Sequence, residues 1–273
     1  MLLKEYIPAA PLSPYIHCYW IVQCSHVMLP EKCIMDGYVK MFIYLNDNLP
    51  EYHTDHGIKK DWGDGFGGHQ TCRDLFISTP GNLHLVFCLF KPLGFFQLFG
   101  VPIHHLNNTV APLESFLGRR TSELKERLLS AAGDEHRITI LNDFFLSLTY
   151  RLPTLRRTGM EYIQDRMHSR KGLIQIDDLS RVANLSSRTL ERNFSEKIGM
   201  SPKYYARVLR FNYAFGLRRT NPQLGWFDII HDCGYFDQTH FIKDFKHFTG
   251  QTPGTFYKAS HPIKDIYLGR TLK

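Results

Sequence analysis

The feature that most constrains this chain is an imperfect internal repeat near its C-terminus. The first copy sets out Leu179, Asn184, Leu185, Leu190, Phe194, Gly199, Ser201 and Pro202, and the second Ile229, Gly234, Tyr235, Phe241, Phe245, Gly250, Thr252 and Pro253. Asn184 and Gly234 each follow the leading apolar residue by five positions. Both residue types tolerate the positive φ that a tight turn between helices demands. Ser186 and Asp237 come next as capping residues. Leu190 and Phe194, or Phe241 and Phe245, stand four apart and so share one face of a helix. Gly199 or Gly250 stops that helix, and Ser201-Pro202 or Thr252-Pro253 supplies an N-cap and a first-turn proline for the next. The second copy carries one more residue between its turn and its apolar pair.

This is helix, tight turn, helix, written twice. A plain helical bundle would show the same apolar spacing, so the exposed faces have to discriminate. Ser187, Arg188, Thr189, Glu191 and Arg192 lie off the apolar face of the first helix, and Gln238, Thr239, His240 and Lys243 off that of the second. Side chains of these types donate to or accept from base edges in a DNA major groove. Charge points the same way. Residues 1–165 carry 15 Lys and Arg against 17 Asp and Glu, a net of −2, whereas residues 166–273 carry 18 against 9, a net of +9. A basic half suits a polyanionic partner, because each phosphate neutralised releases condensed counterions.

Three stretches carry a family resemblance: D-L-S-R-V-A-N-L-S-S-R-T-L-E-R-N-F (178–194), G-M-S-P-K-Y-Y-A-R-V-L-R (199–210) and C-G-Y-F-D-Q-T-H-F-I-K-D-F-K-H-F-T-G-Q-T-P (233–253). Residues 159–260 resemble the DNA-binding domain of AraC/XylS-type transcriptional regulators. The resemblance implies two helix-turn-helix units joined by a central helix at about Pro202–Arg219, with recognition helices at Ser187–Lys197 and Gln238–Phe248 that enter successive major-groove segments of double-stranded DNA. Carried over by position, the base-reading residues are Arg188, Thr189, Glu191 and Arg192 in the first unit and Gln238, Thr239, His240 and Lys243 in the second. Arg192 is the strongest of these, since arginine pairs bidentately with guanine. Ser187, Lys197, Lys203 and Lys246 are read as phosphate contacts, which position without specifying. The chain departs from the family in having Ser180 and Ile230 where a small alanine is usual, and Gly216 inside the central helix, at about 1 kcal/mol against alanine.

The N-terminal part changes period. Val39, Met41, Ile43 and Leu45 alternate with their neighbours, as do Leu83, Leu85, Phe87 and Leu89, which predicts strands. Gly63, Gly65, Gly67 and Gly68 among acidic residues read as a loop without the pattern of a phosphate cradle. Two amphipathic helices are expected at Leu113–Ala132 and Ile138–Leu152, their stripes packing on the strands or forming a dimer seam. Pro153–Gly159 reads as a linker and 261–273 as a tail. The fold class is therefore α+β and multidomain: a β-rich, cupin-like barrel over 1–112, a helical pair and linker over 113–158, and an all-α double helix-turn-helix domain. P-L-S-P-Y-I-H-C-Y-W (11–20) and F-K-P-L-G-F-F-Q-L-F-G-V-P (90–102) resemble an N-terminal module carried by some AraC-type regulators.

Other chemistries fit the residues less well. Cys18, Cys24, Cys33, Cys72, Cys88 and Cys233 form no C-x-x-C and read as reduced thiols. His53, His56 and His69 near Asp55, Asp61 and Asp64, and His104 beside His105, fall short of a metal signature. No metal or cofactor is expected. Tyr15, Tyr19, Trp20, Phe42, Tyr44, Trp62, Phe66, Phe87, Phe95 and Phe96 line either a small-molecule pocket or, more commonly, a core. The rival reading is a cupin-type metalloenzyme with a DNA-binding appendage; an RNA-binding scaffold lacks its aromatic platform in the basic half. The leading expectation is a cytoplasmic non-enzyme without a membrane span. Its expected partners are double-stranded DNA, a small-molecule effector in the N-terminal part, RNA polymerase and a second copy of the chain, with Leu113–Leu152 as the self-association segment.

Overall fold

The structure is a computed structural model that describes residues 2–25, 27–32, 36–54, 57–59, 63–70, 76–79, 81–150, 152 and 159–258. Contacts divide the chain into two compact units, one of residues 1–30, 38–156 and 196–199, the other of residues 31–37, 157–195 and 200–273. The strand-rich N-terminal part and the all-helical C-terminal domain are as the sequence predicts.

The described strands, in the first unit but for the last two residues of β3, are β1 (Leu2–Tyr6), β2 (Ile16–Cys24), β3 (Val27–Lys32), β4 (Val39–Tyr44), β5 (Glu51–Thr54), β6 (Gly57–Lys59), β7 (Gly65–Gly67), β8 (Phe76–Thr79), β9 (Leu83–Phe90) and β10 (Val110–Pro112). They form a six-stranded sheet, β1-β2-β9-β4-β7-β10, and a four-stranded sheet, β3-β8-β5-β6. β9 is flanked on both sides in antiparallel register, Trp20 and Phe42 each lying opposite Phe87. Val39, Met41 and Ile43 join the main core, yet Phe42 and Tyr44 are buried as well, so β4 is covered on both faces.

Two expectations are corrected here. The glycine-rich stretch is not simply a loop: Gly65–Gly67 forms β7 and pairs with both β4 and β10. A Cβ at Gly65 would lie 2.4 Å from Val110 Cγ1 and 2.8 Å from the Ala111 carbonyl oxygen. These glycines permit close backbone approach within a sheet, a role that composition cannot distinguish from a turn. The helix expected over 113–132 is two, α2 (Glu114–Leu117) and α3 (Arg120–Leu129), parted by Gly118 at φ 54°.

α1 (Gly94–Phe99) and α4 (Asp134–Thr149) complete the first unit. Phe66 sits among Phe90, Phe95, Phe99 and Phe116 with ring centroids 4.9 to 6.0 Å away, edge-on to the last three and tilted against Phe90. Phe145 of α4 reaches Phe90 at 5.6 Å, and Asn142 Oδ1 accepts from Tyr19 Oη and the Ala9 amide. Leu124, Leu128, Ile138, Leu141 and Phe145 all lie in this core, so both amphipathic stripes are packed within the chain. Tyr15, Tyr19, Trp20, Phe42, Tyr44, Phe66 and Phe95 are core residues too, Phe87 and Phe96 are half-buried, and Trp62 lies outside the described residues. Cys18, Cys88 and Cys233 are buried and Cys24 is half-buried; Cys33 and Cys72 are not among the described residues. His53 Nε2 lies 2.7 Å from Ser78 Oγ, and the His104 and His105 rings are 4.1 Å apart. Among the described residues no group of three or more His, Cys, Asp or Glu side chains is placed to hold a metal ion; Asp55, His56 and Asp61 fall outside them.

The second unit is built of α5 (Gly159–Ser169), α6 (Ile176–Val182), all but the last two residues of α7 (Ser187–Lys197), α8 (Pro202–Thr220), α9 (Trp226–Asp232), α10 (Gln238–Thr249) and α11 (Pro253–Lys258). α8 runs unbroken through Gly216, and Ser180 and Ile230 are both buried where alanine is usual. Two close approaches tie the helices together. A Cβ at Gly172 would sit 2.2 Å from the Ala206 carbonyl oxygen, and one at Gly234 would sit 2.3 Å from Leu173 Cδ2. The second contact joins the segment before α6 to the turn before α10. Residues 153–158 and 261–273, read from sequence as linker and tail, lie outside the described residues. No described helix is long and apolar enough to cross a membrane.

Candidate nucleic-acid interface

Each copy of the repeat folds as its spacing dictates. Asn184 takes φ 51° and Gly234 φ 62°, so both turns use the left-handed region their residue types allow. Ser186 Oγ accepts from the Thr189 amide at 3.1 Å, and Asp237 Oδ1 accepts from the His240 amide at 2.7 Å. These contacts satisfy amide groups that a bare helix N-terminus leaves open. Gly199 at φ 88° and Gly250 at φ 80° end the two helices. Ser201 and Thr252 then cap α8 and α11 through the Tyr204 and Thr255 amides. The observed helices Ser187–Lys197 and Gln238–Thr249 match the expected recognition helices to within one residue.

Leu190, Phe194, Phe241 and Phe245 are buried to 1% exposure or less, which fixes what the other faces present. On α7, Ser187, Arg188, Glu191 and Arg192 are exposed. Thr189 is half-buried and its hydroxyl lies 2.8 Å from Ser186 Oγ, so it is engaged in the cap. On α10, Gln238, Thr239, Lys243 and Lys246 are exposed, while His240 is half-buried with its ring edge-on to Tyr235 at 5.2 Å. Lys203, on the first turn of α8, is exposed; Lys197, in the last turn of α7, is half-buried.

Beneath these faces lie side chains that sequence reasoning missed. Asp244, 3% exposed, accepts two hydrogen bonds from Arg207 of α8, at 2.7 and 3.3 Å. Arg207 also lies over the rings of Tyr204 and Phe248, and Tyr204 Oη lies 2.9 Å from His247 Nε2. This charged and aromatic clasp holds α10 to α8. The signal was present: Asp244 sits beside Phe245 and three residues after Phe241, on the apolar face, where a carboxylate needs a partner. α7 meets α8 through Phe194 against Tyr205, whose hydroxyl lies 2.6 Å from His168 Nε2. A second missed residue is Phe236, 92% exposed immediately before the Asp237 cap. It occupies the extra position of the second turn.

Burial raises the Tyr204 and Tyr235 phenols above their ordinary range and pushes the Cys233 thiol up to about 12, so all three stay protonated at neutral pH. The face therefore offers guanidinium, ammonium, amide and hydroxyl groups, with Glu191 as an exposed acceptor on α7.

Residues 179–259 match the family described as "Helix-turn-helix domain", and residues 4–112 match one described as "Domain of unknown function (DUF6597)". The Msm operon regulatory protein of Streptococcus mutans serotype c (strain ATCC 700610 / UA159) is 26% identical over 120 residues. That alignment spans 44% of this chain and 43% of the relative, so less than half of the relative's length is matched. Among solved structures, ToxT from Vibrio cholerae aligns over 87% of this chain and 96% of its own, with a TM-score of 0.47 at 13% identity. The AraC-like transcriptional activator CuxR aligns over 75% and 77%, with a TM-score of 0.27 at 15% identity.

Proposed function

We propose that the whole chain is a sequence-specific, DNA-binding transcriptional regulator of the AraC type, a reading supported by the match of residues 179–259 to a helix-turn-helix domain family. The observation that carries this reading is the pair of capped helices, α7 and α10, each with one face buried and the other lined with groups that suit base edges. α7 and α10 read successive major-groove segments. Arg188, Glu191 and Arg192 read bases in the first, with Thr189 contributing its methyl group, since its hydroxyl serves the cap. Gln238, Thr239 and Lys243 read the second, with His240 at the helix start. Ser187, Lys197, Lys203 and Lys246 bind phosphates.

The protein acts by binding rather than by catalysis, in the cytoplasm, and needs no cofactor. The N-terminal unit senses a small effector and joins two copies of the chain, and bound DNA presents the protein to RNA polymerase. Because Leu124, Leu128 and Leu141 are spent on the chain's own core, the dimer contact in this reading uses other surface of that unit.

Titration of the full chain against genomic duplex fragments at several salt concentrations tests the proposal. Expected is binding whose log K falls linearly with log salt, as counterion release requires. Absence of binding to every fragment, or binding insensitive to salt, overturns it.

A further inference from the structure

Between the two helix-turn-helix units lies a cleft of about 500 Å³ lined by Arg166, Arg170, Leu173, Gln175, Asp178 and Arg210, with the backbone of Gly234 at its edge. It draws on α5, the segment leading into α6, the middle of α8 and the turn before α10. Three guanidinium groups border it with little to neutralise them. Arg166 Nη1 donates to Tyr162 Oη at 3.2 Å, and the Arg210 guanidinium lies 5.3 Å from the Tyr235 ring centroid. Among the described residues, no carboxylate pairs with any of the three. Asp178, the carboxylate on the rim, is turned instead to Arg181 at 2.5 Å. The Nε groups of both Arg166 and Arg210 are buried without a hydrogen-bond partner. A buried donor on a charged group is costly to leave unmatched, so three arginines lining one cleft without a carboxylate partner make it a place where an anionic acceptor is favoured.

We propose that this cleft binds a phosphate group, and that in the DNA complex the group is a backbone phosphate lying between the two major-groove segments. Guanidinium forks match phosphate oxygens in geometry and stay charged at any working pH. The lining comes from both helix-turn-helix units and the helix that joins them. One phosphate held there braces the two readers at a fixed separation, a task that no base-reading residue performs. The DNA source rests on the regulator reading above; the phosphate chemistry does not. A free phosphorylated ligand would use the same groups, and the experiment separates the sources.

The full chain is compared with Arg170→Gln and with Arg166→Gln/Arg170→Gln, far-UV circular dichroism reporting folding. Arg170 is exposed, so the single variant retains the fold and carries the test if the double variant does not. In the DNA arm, the slope of log K against log salt is expected to shrink by about 0.9, because one fewer phosphate is neutralised. A single methylphosphonate placed between the two half-sites is expected to weaken the wild type several-fold and the double variant no further. In the second arm, inorganic phosphate without DNA is expected to raise the melting temperature of the wild type more than that of the variants, since general salting effects act on all alike. A changed DNA slope assigns the backbone phosphate; protection by inorganic phosphate with an unchanged slope assigns a free phosphate ligand. An unchanged slope together with equal protection overturns the site. Failure of the wild type to bind any DNA refutes the regulator reading instead, and the inorganic phosphate arm still decides the cleft.

Discussion

The two helix-turn-helix units share one grammar and differ in how their second helix is held. α7 is fixed by apolar contact and one tyrosine–histidine bond: Leu190 and Phe194 are buried, Phe194 meets Tyr205, and Tyr205 meets His168. α10 is fixed by a larger aromatic core and a buried charge. Phe245 packs on Phe211, Trp226 and Phe256 at 5.5 to 6.1 Å, and Asp244 takes Arg207. Asn193 stands on α7 where Asp244 stands on α10, both seven residues after the cap. The turn of the second unit is longer by one residue, and that residue is the exposed Phe236. The two copies thus share what sets the backbone, namely turn, cap and helix stop. What fixes each helix in its unit was free to differ.

The difference is open to direct attack. The largest effect is expected from Phe245→Ala, which empties the centre of the second unit's core and should cost about 3–5 kcal/mol in urea unfolding of the full chain. A loss below about 1 kcal/mol would mean that the aromatic cluster does not hold α10. Next comes Asp244→Ala, expected to cost about 1.5–3 kcal/mol because it strips a partly buried arginine of its acceptor, while Asn193→Ala stays within about 0.5 kcal/mol. Equal costs at the two positions would erase the asymmetry. The turns give a smaller contrast. Gly234→Ala is expected to cost about 1–2 kcal/mol, from a Cβ at positive φ and from its approach to Leu173, whereas Asn184→Gly should be close to neutral. Thermal unfolding of the two variants checks this, and a neutral Gly234→Ala contradicts it.

Phe236→Ser should leave stability unchanged to within about 0.5 kcal/mol, since the ring is almost wholly in water. An aromatic ring beside a recognition helix can still touch a thymine methyl group. The variant is therefore expected to weaken DNA binding, and replacing the contacted thymine by uracil should weaken the wild type but not the variant. Identical affinities throughout would leave the ring without a role.

The same contrast explains what was legible in the sequence. Turns, caps and helix stops are local, set by single residue types, so Asn184, Gly234, Ser186, Asp237, Gly199 and Gly250 could be placed before any coordinates. The amphipathic stripe around Leu141 was legible for the same reason, as a face to be covered, and of the two covers the sequence leaves open, the strands of its own unit or a second copy, it is the core of its own unit that takes it. Non-local partners left weaker traces. Arg207 and Asp244 lie 37 residues apart, and only the oddity of a carboxylate on an apolar face marks them. β7 was misread because glycine serves turns and close strand packing alike, and Gly118 went unnoticed as a helix break because the leucines on either side keep the period. The cleft of Arg166, Arg170 and Arg210 is invisible in one dimension, since its arginines come from the end of α5 and from α8, some forty residues apart, and the segment leading into α6 and the turn before α10 complete it.

The measurement that bears most directly on the central claim is selection of bound duplexes from a randomised pool by the full chain, by Arg192→Ala and by Lys243→Ala. Two readers on one face of a duplex require the wild type to enrich two short motifs about one helical turn, roughly 10 base pairs, apart. Arg192→Ala should lose preference at one base pair of one motif, at about 1–3 kcal/mol, and leave the other motif intact; Lys243→Ala should alter only the second motif. A single motif, or the same pair of motifs at the same strength for all three proteins, would contradict reading by α7 and α10.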